Sequence, residues 1–139
     1  MLVAVTGSTG LIGSALVSSL TADGHEVLRL TRSPSPGTGA AHWDPASGAI
    51  DAEALSKAGA VVHLAGRSIV ALRWTPKVKR EILSSRTRGT RLIAETLAGL
   101  PSGPRVLVTA SGIHYYGDRG DEVLTETASG GQGYLAGVC

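Results

Sequence analysis

The sequence predicts an α/β fold, a doubly wound parallel sheet with helices on both faces. Three observations predict it. Short apolar runs rich in β-branched residues (LVAVT, EVLRLT, AVVHL, RVLVT) read as strands buried on both faces. Longer segments with helical spacing alternate with them, the pattern of a parallel sheet with crossover helices. A glycine-rich turn, VTGSTGLIG, joins the first run to the first helical segment.

Leu2–Thr6 is the first strand, and the glycines of 7–10 end it. Ile12, Leu16 and Leu20 then recur at i, i+4, with Leu11 and Ala15 beside them, as in a helix. Asp23-Gly24 closes that helix with a glycine cap. Glu26–Thr31 is a second strand, Ser33–Gly39 a Pro/Gly-rich loop, and Ala41–Trp43 a short third strand before an Asp44-Pro45 turn. Asp51–Lys57 reads as a brief helix and Ala60–Leu64 as a buried strand ending at Ala65-Gly66. A long helix from about Pro76 to Leu97, with proline in its first turn, puts Val78, Ile82, Ser85, Gly89, Ile93 and Leu97 along one side. Arg105–Thr109 is the last strand, Tyr116–Gly131 a loop, and Gly133–Cys139 the start of a helix. Five strands in the order 3-2-1-4-5 follow from a doubly wound connection.

Composition narrows the function. With 42% hydrophobic and 17% charged residues, the chain of 139 residues suits one globular domain. Phenylalanine is absent and glycine numbers 19, so the core is aliphatic and the backbone turns tightly. A net charge of +2 without a clustered basic patch argues against a nucleic-acid partner. One cysteine, the last residue, excludes an internal disulfide framework, and a reducing cytoplasm is the expected location. Neither a signal peptide nor a membrane-length apolar run is evident, so no membrane partner is expected.

The glycine turn carries the strongest chemical signal. Gly7 permits a tight turn, Gly10 allows backbone to approach a pyrophosphate, and Gly13 allows helix and sheet to pack closely. The helix start offers free N–H groups and a positive dipole to phosphate. The spacing is G-x-x-G-x-x-G, one residue longer in its first gap than the commoner pattern. A Gly-rich turn without a ligand is the alternative. At the end of the second strand stand Thr31, Arg32 and Ser33, where an acidic residue would favour NAD. A guanidinium there suits a 2′-phosphate and favours NADP(H) over NAD(H); a solvated surface arginine is the alternative. Asp44, after the third strand, is the rival acidic group, placed nearer an adenine.

The blocks VTGSTGLIG, TR, HWD, VVHLAG, RWTPKVKREILSSRTRGT, VTASGIHYYGD and GYLAGVC follow one another in order. Together they resemble the extended short-chain dehydrogenase/reductases, and more closely their atypical, epimerase-family branch of sugar-epimerase-like oxidoreductases. The resemblance covers essentially the whole chain. It implies a Rossmann-like domain over residues 1–139 that binds NAD(P), truncated after about five strands, with a C-terminal substrate-binding part absent. It also implies that the loop residues Gly7, Thr9, Gly10, Leu11, Ile12 and Gly13 lie on the cofactor. Leu64, Ala65 and Gly66 would lie against its ribose and pyrophosphate, or form a simple strand-to-loop turn. His63 reads better as a core residue.

Arg86 stands where extended relatives carry an asparagine facing the active site, so Arg86 and Glu81 are candidates to touch the nucleotide; a surface ion pair is the alternative. Arg73-Trp74 is either substrate-facing or packing. Ser111 matches the family residue that hydrogen-bonds the reacting substrate oxygen, although Gly112 occupies the usual register and His114 replaces a glycine. Tyr134 matches the family's acid/base tyrosine. Four residues on, where the family carries a lysine that lowers the tyrosine pKa, this chain has Val138. Tyr134 is therefore a catalyst or a packing residue.

The implied function is hydride transfer between a nicotinamide and an alcohol or ketone carbon of a small molecule, such as a sugar. The alternatives are a cofactor-binding protein without catalysis, such as a redox sensor, and an inactive fragment that self-associates through an exposed edge strand.

Overall fold

A computed structural model describes residues 1–70 and 73–139. The chain forms two compact units, Met1–Thr109 and Ala110–Cys139.

The first unit is built on one six-stranded sheet. Its strands are β1 (Leu2–Thr6), β2 (Glu26–Thr31), β3 (Ala40–Asp44), β4 (Ala49–Ile50), β5 (Ala60–His63) and β6 (Val106–Thr109), in the order β4-β3-β2-β1-β5-β6. Five strands run parallel in the expected order. The short β4, which the sequence did not signal, folds back antiparallel on β3, with Trp43 opposite Ile50. A turn makes this hairpin: the Gly48 amide donates to the Asp44 carbonyl at 3.0 Å. Two residues of strand at the sheet edge leave little open backbone for another chain to pair with.

The helices follow from local signals. The α1 helix (Leu11–Ala22) begins after Gly10. The short α2 (Ala52–Ser56) is capped by the Asp51 carboxylate, which accepts from the Ala54 amide at 2.9 Å. The long α3 (Pro76–Gly99) starts with the Thr75 hydroxyl accepting from the Val78 amide at 3.3 Å and with proline at its first turn.

The two faces of the sheet are packed differently. Ala4, Leu30, Ala41, Trp43 and Val61 meet Leu55 of α2 and Ile93 of α3 in the main core. On the opposite face Val3 and Val5 are buried on the side of α1, whose buried residues are Gly13 and Val17. Of the expected Ile12/Leu16/Leu20 stripe, Leu16 and Leu20 are half-buried, while Ile12 is 68% and its neighbour Leu11 92% exposed. The reason is steric. A Cβ on Gly13 would fall 2.1 Å from the Gly7 carbonyl oxygen, so only glycine fits there. Seating Gly13 against the turn rotates the 13/17 face inward and Leu11 and Ile12 outward. Along edge strand β6, Val106 and Val108 are about half exposed (52% and 51%).

The second unit contains a 3-10 turn over Ile113–Tyr116 and the short α4 (Tyr134–Val138). Tyr115 and Tyr116 pack edge to face, with centroids 5.2 Å apart. The Gly131 amide donates to the Tyr115 carbonyl at 2.8 Å, and Arg119 grips Glu122 at 2.8 and 3.0 Å. Among the described residues, no helix is long and apolar enough to cross a membrane.

Ile93 is fully buried between α3 and the sheet. Ile93→Ala should lower the unfolding free energy in urea by about 2–5 kcal/mol. Ala98→Ser, on the exposed side of the same helix, should change it by no more than about 0.5 kcal/mol.

Candidate functional site

Parallel strands end together at one edge of the sheet, where the loops that follow them form a cleft. In the first unit that cleft has a volume of about 990 Å³. The glycine turn (Gly7, Ser8, Thr9, Gly10), the end of β2 (Thr31, Arg32), the end of β3 (Trp43, Asp44) and the segment after β5 (Leu64, Ala65, Gly66, Arg67) line it. One face of α3 closes it with Glu81, Ser84, Ser85 and Arg88, which recur at helical spacing.

The glycine turn is shaped by close approach. Gly7 has φ +66°, and a Cβ there would sit 2.9 Å from the Ala65 nitrogen. The Gly10 amide donates to the Gly7 carbonyl at 3.0 Å. No side chain caps α1, and no acidic residue stands in its first turn. Its first amides and the positive end of its dipole therefore remain available to an anion.

Beneath the turn lies a buried polar junction. Thr6 Oγ1 accepts from the Leu64 and Ala65 amides, each at 3.1 Å. A hydroxyl has one proton, and the remaining partner is His63 Nδ1 at 2.7 Å. Thr6 therefore donates to Nδ1, and His63 is neutral with its proton on Nε2. Burial pushes the His63 pKa below its ordinary value of 6.5, in agreement with a neutral ring. Trp43 packs edge-on against His63, and the absent side chain of Gly89 makes room for both rings.

The charges of the cleft divide into occupied and free groups. Arg67 Nε pairs with Glu81 at 3.1 Å. The Asp44 carboxylate accepts from the Ala46 amide at 3.0 Å and the Ser47 hydroxyl at 2.9 Å, and these bonds lower its pKa, the Ala46 amide most. Arg32 and Arg88 make no hydrogen bond or ion pair among the described residues. Two further buried polar atoms have no protein partner among the described residues, Thr31 Oγ1 and Trp43 Nε1, and both residues line the cleft.

Of the residues expected on a cofactor, Gly7, Thr9, Gly10, Thr31, Arg32, Leu64, Ala65, Gly66 and Glu81 line this one cleft. Leu11, Ile12, Gly13 and Arg86 do not. Gly13 packs under the turn, while Leu11 and Ile12 face outward. Arg86 turns its guanidinium onto backbone, with Nη1 donating to the Arg67 carbonyl at 3.0 Å and the Ile82 carbonyl at 3.3 Å. Sequence reasoning missed Ser8, Trp43, Ser84, Ser85 and Arg88; the helical recurrence 81/84/85/88 was the available signal for three of them.

Ser111 and Tyr134 both belong to the second unit. Ser111 is exposed, and Gly112 beside it lies against the Cys139 sulfur. Tyr134 is half-buried at the start of α4, with Val138 one turn on. Groups of histidine, cysteine or carboxylate residues able to hold a metal are absent among the described residues.

Burial of a neutral His63 has a consequence for stability. The unfolded chain takes up this proton near pH 6.5, and the folded chain only at lower pH. Below pH 6.5 the unfolded state binds more protons, so the contribution present above that pH is lost as pH falls through the folded pKa. Urea unfolding should show stability declining as pH drops from 7.5 to 5, and His63→Gln should flatten that decline. An unchanged slope in the variant would assign it to other groups.

The arrangement has relatives. A family model described as the NAD dependent epimerase/dehydratase family matches residues 3–134. Epimerase family protein Mb2239 of Mycobacterium bovis is 40% identical over 99% of this chain, which spans 45% of that protein. The chloroplastic SDR39U1 homolog of Arabidopsis thaliana is 39% identical over the whole chain, which spans 42% of it. The chain thus covers less than half the length of these relatives. Among solved structures, the nucleoside-diphosphate sugar epimerase of Corynebacterium glutamicum superposes with a TM-score of 0.84 at 38% identity, over 100% of this chain and 28% of that one. Human SDR39U1 (isoform 2) with NADPH gives 0.83 at 34%, over 99% and 46%. MoeE5 in complex with UDP-glucuronic acid and NAD gives 0.78 at 30%, over 99% and 45%. The cleft-bearing sheet and the glycine turn are those of a known lineage, and this chain belongs to the NAD dependent epimerase/dehydratase family.

Proposed function

We propose that this chain is the NADP(H)-binding portion of a nucleoside-diphosphate-sugar-epimerase-like oxidoreductase. The observation that carries the cofactor choice is Arg32, which follows β2 directly, lines the cleft and has no hydrogen bond or ion pair among the described residues. A planar, permanently charged fork suits a 2′-phosphate. Human SDR39U1, the relative solved with NADPH, supports the same reading. The residues present fit a dinucleotide. The glycine turn and the uncapped start of α1 would hold the pyrophosphate, and the Leu64–Gly66 backbone would hold a ribose. Two polar atoms of the lining residues and two arginines, all without a partner among the described residues, supply a site with unmet hydrogen-bonding groups and charge.

When bound, the nicotinamide exchanges a hydride with an alcohol or ketone carbon of a small substrate. This chain's part is to bind and orient the dinucleotide and to exclude water from its phosphate end. In the second unit, Ser111 is proposed to donate a hydrogen bond to the substrate oxygen and Tyr134 to carry the proton. Sugar nucleotides are the substrate class supported by MoeE5, solved with UDP-glucuronic acid. The location proposed is the cytoplasm.

One observation favours a second reading. Val138 lies one helical turn beyond Tyr134 and offers no cation to lower the phenol pKa. A protein that binds NADP(H) without turnover, as a redox sensor would, fits that residue equally.

Titration of the 139-residue chain with NADPH and NADH tests the cofactor assignment. Arg32→Ala should weaken NADPH binding about 10-fold or more and leave NADH nearly unchanged, the loss expected for a charge-assisted pair. Equal losses for both nucleotides would sink the 2′-phosphate role of Arg32. Tight NADPH binding with no oxidation across a panel of carbonyl compounds would favour the second reading.

A further inference from the structure

The segment after β5 is held from two sides. From below, Thr6 Oγ1 takes the Leu64 and Ala65 amides. From α3, three residues converge on Arg67. Its amide donates to Ser85 Oγ at 2.9 Å, its carbonyl accepts from Arg86 Nη1 at 3.0 Å, and its own Nε pairs with Glu81 at 3.1 Å. Residues 81, 85 and 86 stand within about one turn and a half of helix, so one face of α3 grips amide, carbonyl and side chain of a single loop residue. Arg86 Nη1 is also tied to its own helix at the Ile82 carbonyl, 3.3 Å away, and the guanidinium packs against Gly66, its Cζ 3.4 Å from where a Cβ would be.

We infer that Arg86 is a positioning residue: it clamps the Arg67 carbonyl to α3 and so presents the Gly66 amide to the cleft. Within residues 64–67 the other three amides are engaged, while the Gly66 N–H has no partner among the described residues. Gly66 is exposed and lines the cleft, so its amide is a fixed donor for a ligand oxygen. Lysine cannot replace Arg86 in this task. Both carbonyls are reached from one nitrogen, Nη1, but an ammonium lacks the planar guanidinium that holds that nitrogen in place by packing against Gly66. The ligand part of this inference rests on the proposed dinucleotide site; the clamp itself does not.

The test uses the whole chain and two variants, Arg86→Lys and Ser85→Ala. The second keeps the question open to measurement if the first fails to fold. Without nucleotide, amide exchange followed by NMR should show Arg67 losing about 10-fold protection in either variant, as a local opening does, with Val3 and Val5 in β1 unchanged. With nucleotide, the dissociation constants for NADPH and NADH should rise together by about 10-fold, the worth of one hydrogen-bond contact. The salt dependence of binding should stay as in the parent chain, because no charge on the ligand has lost its partner.

Unchanged Arg67 exchange in Arg86→Lys, or parent-like nucleotide affinity in Ser85→Ala, would overturn the clamp. So would equal loss of protection across β1, which marks a fold-wide role. Parent-like affinity in Arg86→Lys, which keeps the charge and loses the guanidinium, would overturn it in favour of direct charge contact. If the parent chain binds neither nucleotide, the proposed function fails, and the exchange result still decides the clamp.

Discussion

Thr6 Oγ1 is the atom on which the site depends. It is fully buried at the end of the central strand and makes three hydrogen bonds, two as acceptor from the chain after β5 and one as donor to His63. In a parallel sheet the ladder ends where the strands end, and the next amides need other partners. Here one side-chain oxygen satisfies both. Leaving them unmet would cost about 1–3 kcal/mol each. The junction also brings the Leu64–Ala65 backbone against Gly7, where a side chain of any size would collide. The tight glycine turn and the strand end beside it are thus one packed unit, and the cleft opens directly above it.

The surrounding groups follow from this constraint. His63 must be neutral to accept from Thr6, and its burial under Trp43 and against Gly89 keeps it so. Gly13 must pack on the turn, which sets the rotation of α1, and no side chain caps the helix start that follows Gly10 of the cleft. The carboxylates of the cleft are engaged, Glu81 by Arg67 and Asp44 by its own turn, while Arg32 and Arg88 have no ion pair among the described residues. Three arginines (Arg32, Arg67, Arg88) against two carboxylates (Asp44, Glu81) leave the cleft lining with a surplus of positive charge.

Much of the fold was legible in the sequence. Leu2–Thr6 and Glu26–Thr31 were bounded correctly because both are apolar β-branched runs cut off by glycine or by a polar loop. The Thr75-Pro76 start of α3 and its buried Ile82/Gly89/Ile93 face carried strong local signals. What failed was decided by distant contacts. The start of α1 departs from its Ile12/Leu16/Leu20 stripe because close packing of Gly13 on Gly7 turns Leu11 and Ile12 outward. The two-residue β4 has too little sequence to announce itself. Thr6 was visible within the glycine motif, but its partners lie 57 to 59 residues away. Arg86 was expected on the nucleotide from its place in the helix; its preference for the Arg67 carbonyl could be seen only in three dimensions.

Binding of NADPH to Thr6→Val, measured beside Thr6→Ser, shows whether the Thr6 junction shapes the site. Valine keeps the shape and removes all three hydrogen bonds; serine keeps the oxygen. If the junction shapes the site, Thr6→Ser binds NADPH nearly as the parent chain does, and a folded Thr6→Val binds it about 10-fold or more weakly. A folded Thr6→Val with the parent chain's affinity would contradict it.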